Sequence, residues 1–256
     1  MSDRLIDSDT TEDAFLGGQL RLLQPRSGHR VGHDAVLLAG ATPARPGHRV
    51  VEFGAGVGAA GLAVASRVGA IDLVLIEINE RLAALARANA RANAIAADVV
   101  VLDVAAAADA FAAKGLLPDS VDVVLMNPPF NDAARHRASP DKERLCAHMA
   151  NPLTLERWLH AGRRILKSGG VLALIWRADG ISEVLAALAR GFGSLSILPV
   201  HGEPTRPAIR VLVRAVKGGR APTRLEPPLM LNDESAEPKQ LAAEIPAGPG
   251  LPFAKP

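Results

Sequence analysis

From Arg49 onward the chain repeats one pattern, a short apolar run followed by a stretch with helical spacing. Strands are expected at 49–53, 71–76, 98–102, 121–126 and 171–176. Helices are expected at 59–68, 80–93, 104–114, 153–166 and 181–190. A final pair of strands, 195–200 and 208–216, closes the pattern. Strands that alternate with helices imply an α/β fold with a mostly parallel sheet covered on both faces. Right-handed crossovers make it doubly wound. Such sheets bind ligands at the carboxyl ends of their strands. The glycine turn 54–58, Glu77, Asp103 and Asn127 all fall at such ends.

Ahead of this unit, residues 14–24 (AFLGGQLRLLQ) read as two short strands hinged at Gly17-Gly18, and 31–41 as a helix starting near His33-Asp34. The expected organisation is a disordered acidic tail at 1–13, an extension at 14–48 packed on the catalytic domain, that domain at 49–231, and a disordered tail at 232–256. Aromatic residues make up only 3% of the chain and Tyr is absent, so Ala, Val and Leu must build the core. The single cysteine, Cys146, excludes an internal disulfide and suits a reducing cytosol. No apolar run is long enough to span a membrane, and the N-terminus lacks an apolar signal core, so a cytoplasmic protein is expected. The seven histidines show no ligand spacing, and no metal site is expected.

The turn Glu52-Phe53-Gly54-Ala55-Gly56-Val57-Gly58 lets the backbone bend sharply and approach a ligand; it also reads as an ordinary strand-to-helix turn. A dinucleotide site would want its third glycine at 59, where Ala stands, so a ligand without a pyrophosphate fits better. Glu77 can accept both hydroxyls of a ribose, or serve as a helix-start acid near Asn79. Asp103 can accept from an adenine amino group, or cap a helix beginning at Val104. In Asn127-Pro128-Pro129-Phe130, the Asn127 side-chain carbonyl and the Pro128 backbone carbonyl offer two acceptors for an exocyclic amino group. Such acceptors draw a conjugated nitrogen toward sp³ geometry and free its lone pair. Phe130 offers a face on which a base can stack, worth about 1–3 kcal/mol. The competing reading is a strand stop with a proline turn.

With these residues the chain resembles the class I S-adenosylmethionine (SAM)-dependent methyltransferases over residues 14–230. GAGVG is similar to their first motif and NPPF to the tetrapeptide of the amino-methylating members. The segments LGGQLRLLQPRSGHRVGHDAVLLAGA and RVLVRAVKGGRAP resemble the bacterial tRNA adenine-N6-methyltransferase family, which acts beside the anticodon of a valine tRNA. The resemblance implies a Rossmann-like, seven-stranded sheet with the last strand antiparallel, preceded by a β-hairpin and helix. It implies SAM as cofactor, held by Gly32 and Asp34 near its methionine end and by Glu52, Gly54, Gly56, Gly58, Glu77, Asp103 and Asn127. Asp34 has the rival reading of a helix cap. Asn127, Pro128 and Phe130 would be catalytic; Pro129, Phe130, Arg135, Arg137 and Lys142 would meet the substrate.

The activity so implied is methyl transfer to the N6 amino group of an adenine in RNA, most readily tRNA. Other acceptors of the same chemistry are guanine N2 of rRNA and a protein glutamine amide. A non-catalytic SAM- or RNA-binding module and a nicotinamide oxidoreductase are the rivals from other classes. Many relatives carry Tyr where Phe130 stands, and no segment reads as an appended RNA-binding domain. RNA would then meet basic clusters at Arg135, His136, Arg137, Lys142 and Arg144, or at Arg206, Arg210, Arg214, Lys217, Arg220 and Arg224. Ordinary solvated charge is the alternative.

Overall fold

The computed structural model describes residues 9–27, 30–129, 152–231 and 251. A hairpin of β1 (Thr10–Phe15) and β2 (Leu20–Pro25) leads into α1 (His33–Ala41). The alternating unit then runs β3 (Arg49–Phe53), α2 (Ala59–Val68), β4 (Asp72–Glu77), α3 (Glu80–Ala92), β5 (Asp98–Val101), α4 (Ala108–Ala112) and β6 (Val121–Met126). After α5 (Pro152–Ile165) come β7 (Leu166–Arg177), α6 (Ile181–Leu188), β8 (Phe192–His201) and β9 (Arg210–Lys217). Two short strands, β10 (Arg224–Leu225) and β11 (Leu229–Met230), complete the edge.

The main sheet has the order β10-β8-β9-β7-β6-β3-β4-β5, with β11 also pairing β8. Strands β3 to β7 are parallel to their neighbours in that block, and β9 runs antiparallel to both β7 and β8. The seven long strands are those expected; β10 and β11 pair in parallel with β8 and raise the total to nine. Because helices cover both faces, the central strands are buried on both sides and are mostly apolar, interrupted by Glu52 in β3 and Asp122 in β6. Successive residues divide between the two faces. Val50, Val123 and Ala173 pack with α1, α2 and α3, whereas Val51, Val124 and Leu174 pack with α4, α5 and α6.

The hairpin is stitched to α3 by two asparagines one helical turn apart. Asn89 accepts from the Leu23 amide (2.7 Å) and donates to the Leu23 carbonyl (3.0 Å). Asn93 does the same for Arg21, at 2.9 and 2.7 Å. Each side-chain amide thus stands in for a neighbouring strand. The match works because i, i+4 on a helix and i, i+2 on a strand both keep one face. Asn89 is fully buried and also donates to the Val57 carbonyl, in the turn that follows β3.

Several expectations need correction. Strand β1 begins at Thr10, so residues 10–13 belong to the hairpin and not to a tail. The helix expected at 104–114 shrinks to Ala108–Ala112. Strand β7 starts at Leu166, and Gly169-Gly170 lie inside it where the β6–β7 register shifts, instead of ending the preceding helix. Within the expected C-terminal tail, Leu251 is buried and its amide donates to the Gly40 carbonyl at 3.0 Å. Residues 1–8 and the rest of 232–256 lie outside the described residues.

Candidate functional site

The turn between β3 and α2 needs glycine at 54, 56 and 58, where φ is 64, 56 and 86°. These are left-handed conformations that L side chains resist. A Cβ on Gly56 would meet nothing within 4 Å, so the turn borders open space on this side. A Cβ on Gly54 would come within 2.4 Å of Cη2 of Trp158, whose indole stands edge-on to Phe53 at 6.3 Å. Trp158 lies on α5, 104 positions beyond Gly54, and no motif in the sequence points to it.

Glu77 ends β4 and is buried. Its Oε2 accepts the Gly56 amide at 2.7 Å and its Oε1 accepts the Asn79 amide at 2.8 Å. A carboxylate oxygen has two acceptor positions, so each keeps one for a ligand. The cap of α3 is Asn79, whose side chain accepts from Arg81 and Leu82. Glu77 thus also serves at the helix start, through the amide of the cap residue, while its remaining acceptor positions stay open.

Glu52 faces inward. Its Oε2 accepts the Gly61 amide at 2.7 Å, inside the first turn of α2. Burial, and to a smaller extent the nearby Glu77 charge, push its pKa up to about 8 against the pull of the Gly61 amide. A Cβ on Gly61 would lie 2.5 Å from Leu75 and 2.7 Å from Glu52 Oε2, which explains a glycine within a helix. The geometry thus makes Glu52 a prop beneath the turn.

Asp103 is exposed just after β5. Its Oδ1 accepts the Ala105 amide at 2.8 Å, and its carbonyl accepts that of Ala106. It closes a turn, not a helix start, and its second carboxylate oxygen remains available.

Asn127 stands one step past β6. Phe53 and Leu174 flank Met126 in the register, so Asn127 sits between the glycine turn and the end of β7. Its Oδ1 is buried and accepts no hydrogen bond. Such an orphan costs about 1–3 kcal/mol, a cost expected where a ligand donor is to be met. Pro128 is buried and Pro129 half-buried behind it. Phe130, Arg135, Arg137 and Lys142 lie outside the described residues.

Gly32, in extended conformation, is the N-cap position of α1. Asp34 lies in the first turn and does not cap the helix; both its oxygens accept from Arg210 Nε, at 3.2 and 3.1 Å. Arg210 pairs with Arg177 at the end of β7, which puts Asp34 at the same sheet edge as Asn127. Arg210 and Arg214 do face one way, as the strand period requires, but they face α1. Arg214 Nε donates to the Ala41 carbonyl, and burial brings its pKa down to about 10. Lys217 pairs with Asp119, and Arg206 with Glu203. The second basic cluster is thus largely engaged within the fold.

Beside one another, then, lie a backbone turn bordering open space, a buried carboxylate with spare acceptor positions and an unmatched amide oxygen. This set suits SAM: the turn and Glu77 would hold its nucleoside part and Asp103 its base. Among the described residues no three His, Cys, Asp or Glu gather as a metal site, and no helix is long and apolar enough to cross a membrane.

A family model described as methyltransferase small domain matches residues 27–201. A tRNA1(Val) (adenine(37)-N6)-methyltransferase of Porphyromonas gingivalis is 33% identical, over 69% of this chain and 72% of the relative. One of the same name from Bacteroides thetaiotaomicron is 26% identical, over 84% and 83%. The crystal structure of a predicted O-methyltransferase from Agrobacterium tumefaciens is 30% identical, with a TM-score of 0.68, over 84% of this chain and 97% of that one.

Proposed function

The chain belongs to the methyltransferase small domain family, and from that premise we propose that it methylates the exocyclic N6 amino group of an adenine in tRNA. It is a SAM-dependent methyltransferase. The relatives named for tRNA adenine-N6 methylation support the substrate. Within the site, the observation that carries the reading is the buried, unmatched Oδ1 of Asn127 at the end of β6.

When bound, SAM supplies an activated methyl group on a sulfonium. The chain's own residues position and polarise. Glu77, held by the Gly56 and Asn79 amides, presents acceptors for the ribose hydroxyls. Asn127 Oδ1 accepts one N–H of the adenine amino group and the Pro128 carbonyl the other, which localises the nitrogen lone pair. Proline serves here because its fixed φ sets the direction of that carbonyl. Phe130 stacks on the base, and Arg135, Arg137 and Lys142 meet phosphates. Most of the acceleration then comes from alignment and preset dipoles. A base within a duplex cannot enter a strand-end pocket, so the target is unpaired or flipped. A tRNA substrate supports a cytoplasmic location for the enzyme.

The Agrobacterium neighbour is a predicted O-methyltransferase. An oxygen acceptor has at most one proton to offer and leaves the paired acceptors of Asn127 and Pro128 without a second donor. That mismatch favours an amino acceptor. The test is to delete the gene and compare modified nucleosides of tRNA and rRNA by mass spectrometry. Loss of N6-methyladenosine from tRNA is expected; an unchanged tRNA profile sinks the proposal.

A further inference from the structure

The outer side of α5 carries Arg157, His160, Arg163 and Arg164, spaced so that all four share one side of the helix. Arg190, just past α6, faces the same groove. The groove consists of two adjoining cavities of about 640 and 450 Å³ that share His160, Arg163 and Arg164. One opens beside Val104–Ala106, the turn closed by Asp103; the other ends at Lys217. From Arg157 to Arg164 the helix rises about 10 Å.

Two of these arginines are held in place by uncharged groups. Arg163 Nη1 donates to the Arg190 carbonyl at 3.3 Å, and its Cδ occupies the space that a Cβ on Gly191 would take. The Arg164 guanidinium lies 4.6 Å over the Phe111 ring, and its Nη2 is buried without a hydrogen-bond partner. Arg21, Arg49, Arg81, Arg177 and Arg210 each pair with an acid. Arg157, Arg163, Arg164 and Arg190 have no such pair among the described residues, although Glu156 lines the same groove. Asp119, at the far end, is taken by Lys217. Gathering unmatched cations opposes folding unless a polyanion uses them.

We propose that this groove is a track for the phosphodiester backbone of the RNA substrate, outside the methylation site itself. The inference rests on the tRNA reading above. A row of cations that rises about 10 Å along α5 from Arg157 to Arg164 and continues toward Lys217 matches regularly spaced phosphates better than it matches a compact anion. It also supplies what Arg210 and Arg214 cannot, since they are spent on α1. The contacts are to backbone, so they set orientation and affinity without reading sequence.

The test compares wild type with R157Q/R190Q, both exposed side chains, and with the same pair plus R164Q. Binding to the RNA that wild type methylates is measured across a range of salt concentrations, with SAM affinity as control. Each lost charge should lower the slope of log affinity against log salt by roughly 1, with SAM affinity unchanged and R157K/R190K near wild type. Wild-type slope and affinity in the glutamine variants, with RNA still methylated, overturn the groove alone. If wild type neither binds nor methylates RNA, the groove and the tRNA reading fall together.

Discussion

The Glu77 carboxylate reaches across the turn between β3 and α2 to accept the Gly56 amide at 2.7 Å. The acid and the glycines are thus one hydrogen-bonded unit, closed on its other side by the Asn79 amide. A carboxylate so held loses no rotamer freedom when a ligand arrives. In the native turn it also has a purpose without ligand, because it satisfies two backbone donors.

Glu77→Ala removes the proposed ribose acceptor and strands those donors. Hydrogen bonds to a charged group contribute about 1.5–3 kcal/mol. SAM affinity is therefore expected to fall roughly 10- to 150-fold in calorimetric titration. Unchanged affinity would remove Glu77 from the cofactor site.

Asn127→Ala should separate catalysis from binding. Loss of a preset acceptor costs on the order of 10²–10³ in kcat, with SAM affinity kept. Because Oδ1 has no donor in the fold, the thermal midpoint should hold or rise slightly. A variant that melts early yet turns over normally would assign Asn127 to the fold instead.

Alanine at Gly54 and at Gly56 should have different effects. Each forces a side chain into positive φ, a cost of about 1–2 kcal/mol. Gly54→Ala also meets Trp158, so its thermal midpoint should fall further, and Trp158→Leu should recover part of the loss. Gly56→Ala projects a methyl into the open space and should weaken SAM binding more than stability. Equal losses of stability in the two would contradict this packing.

Glu52 makes stability depend on pH. Its carboxyl titrates near 4.5 when unfolded and at about 8 when folded, so folding takes up a proton between those values. The stabilisation is complete below pH 4.5 and is lost as pH rises through about 8, at about 1.4 kcal/mol per unit. Glu52→Gln should flatten this dependence and be the more stable form at pH 9, by a few kcal/mol, in urea denaturation. Parallel curves for the two proteins would show that Glu52 is already ionised in the fold.

Much of the sheet could be read from the chain. Strands β3, β4 and β6 are buried on both faces, and such strands are predominantly apolar runs bounded by glycine or polar residues. Errors fell where local composition and tertiary need diverge. The alanine-rich stretch after Asp103 has helical propensity, but Asp103 closes a turn at Ala105 and Ala106 and delays the helix to Ala108. Gly169-Gly170 look like a helix stop, yet the β6–β7 register shift uses them. Nothing local marks Gly61, because its reason, the approach of Leu75 and Glu52, lies in strands β4 and β3.

The local pattern is enough to say which residues stand at the carboxyl ends of the strands, because the periods of strand and helix are local and each strand end is marked by a break in pattern. It thereby placed Glu77, Asp103 and Asn127 along one edge. Which way their neighbours turn is set by packing. Glu52 belongs to the same motif as the glycines but points under it, to Gly61. Arg210 meets Asp34 across 176 positions and so leaves the surface for α1. Trp158 seats on Gly54, and Asn127 Oδ1 is left without a donor. All four have the same cause. A side chain's role depends on what packs beside it, and those partners come from segments far apart in the chain, beyond the reach of any local pattern.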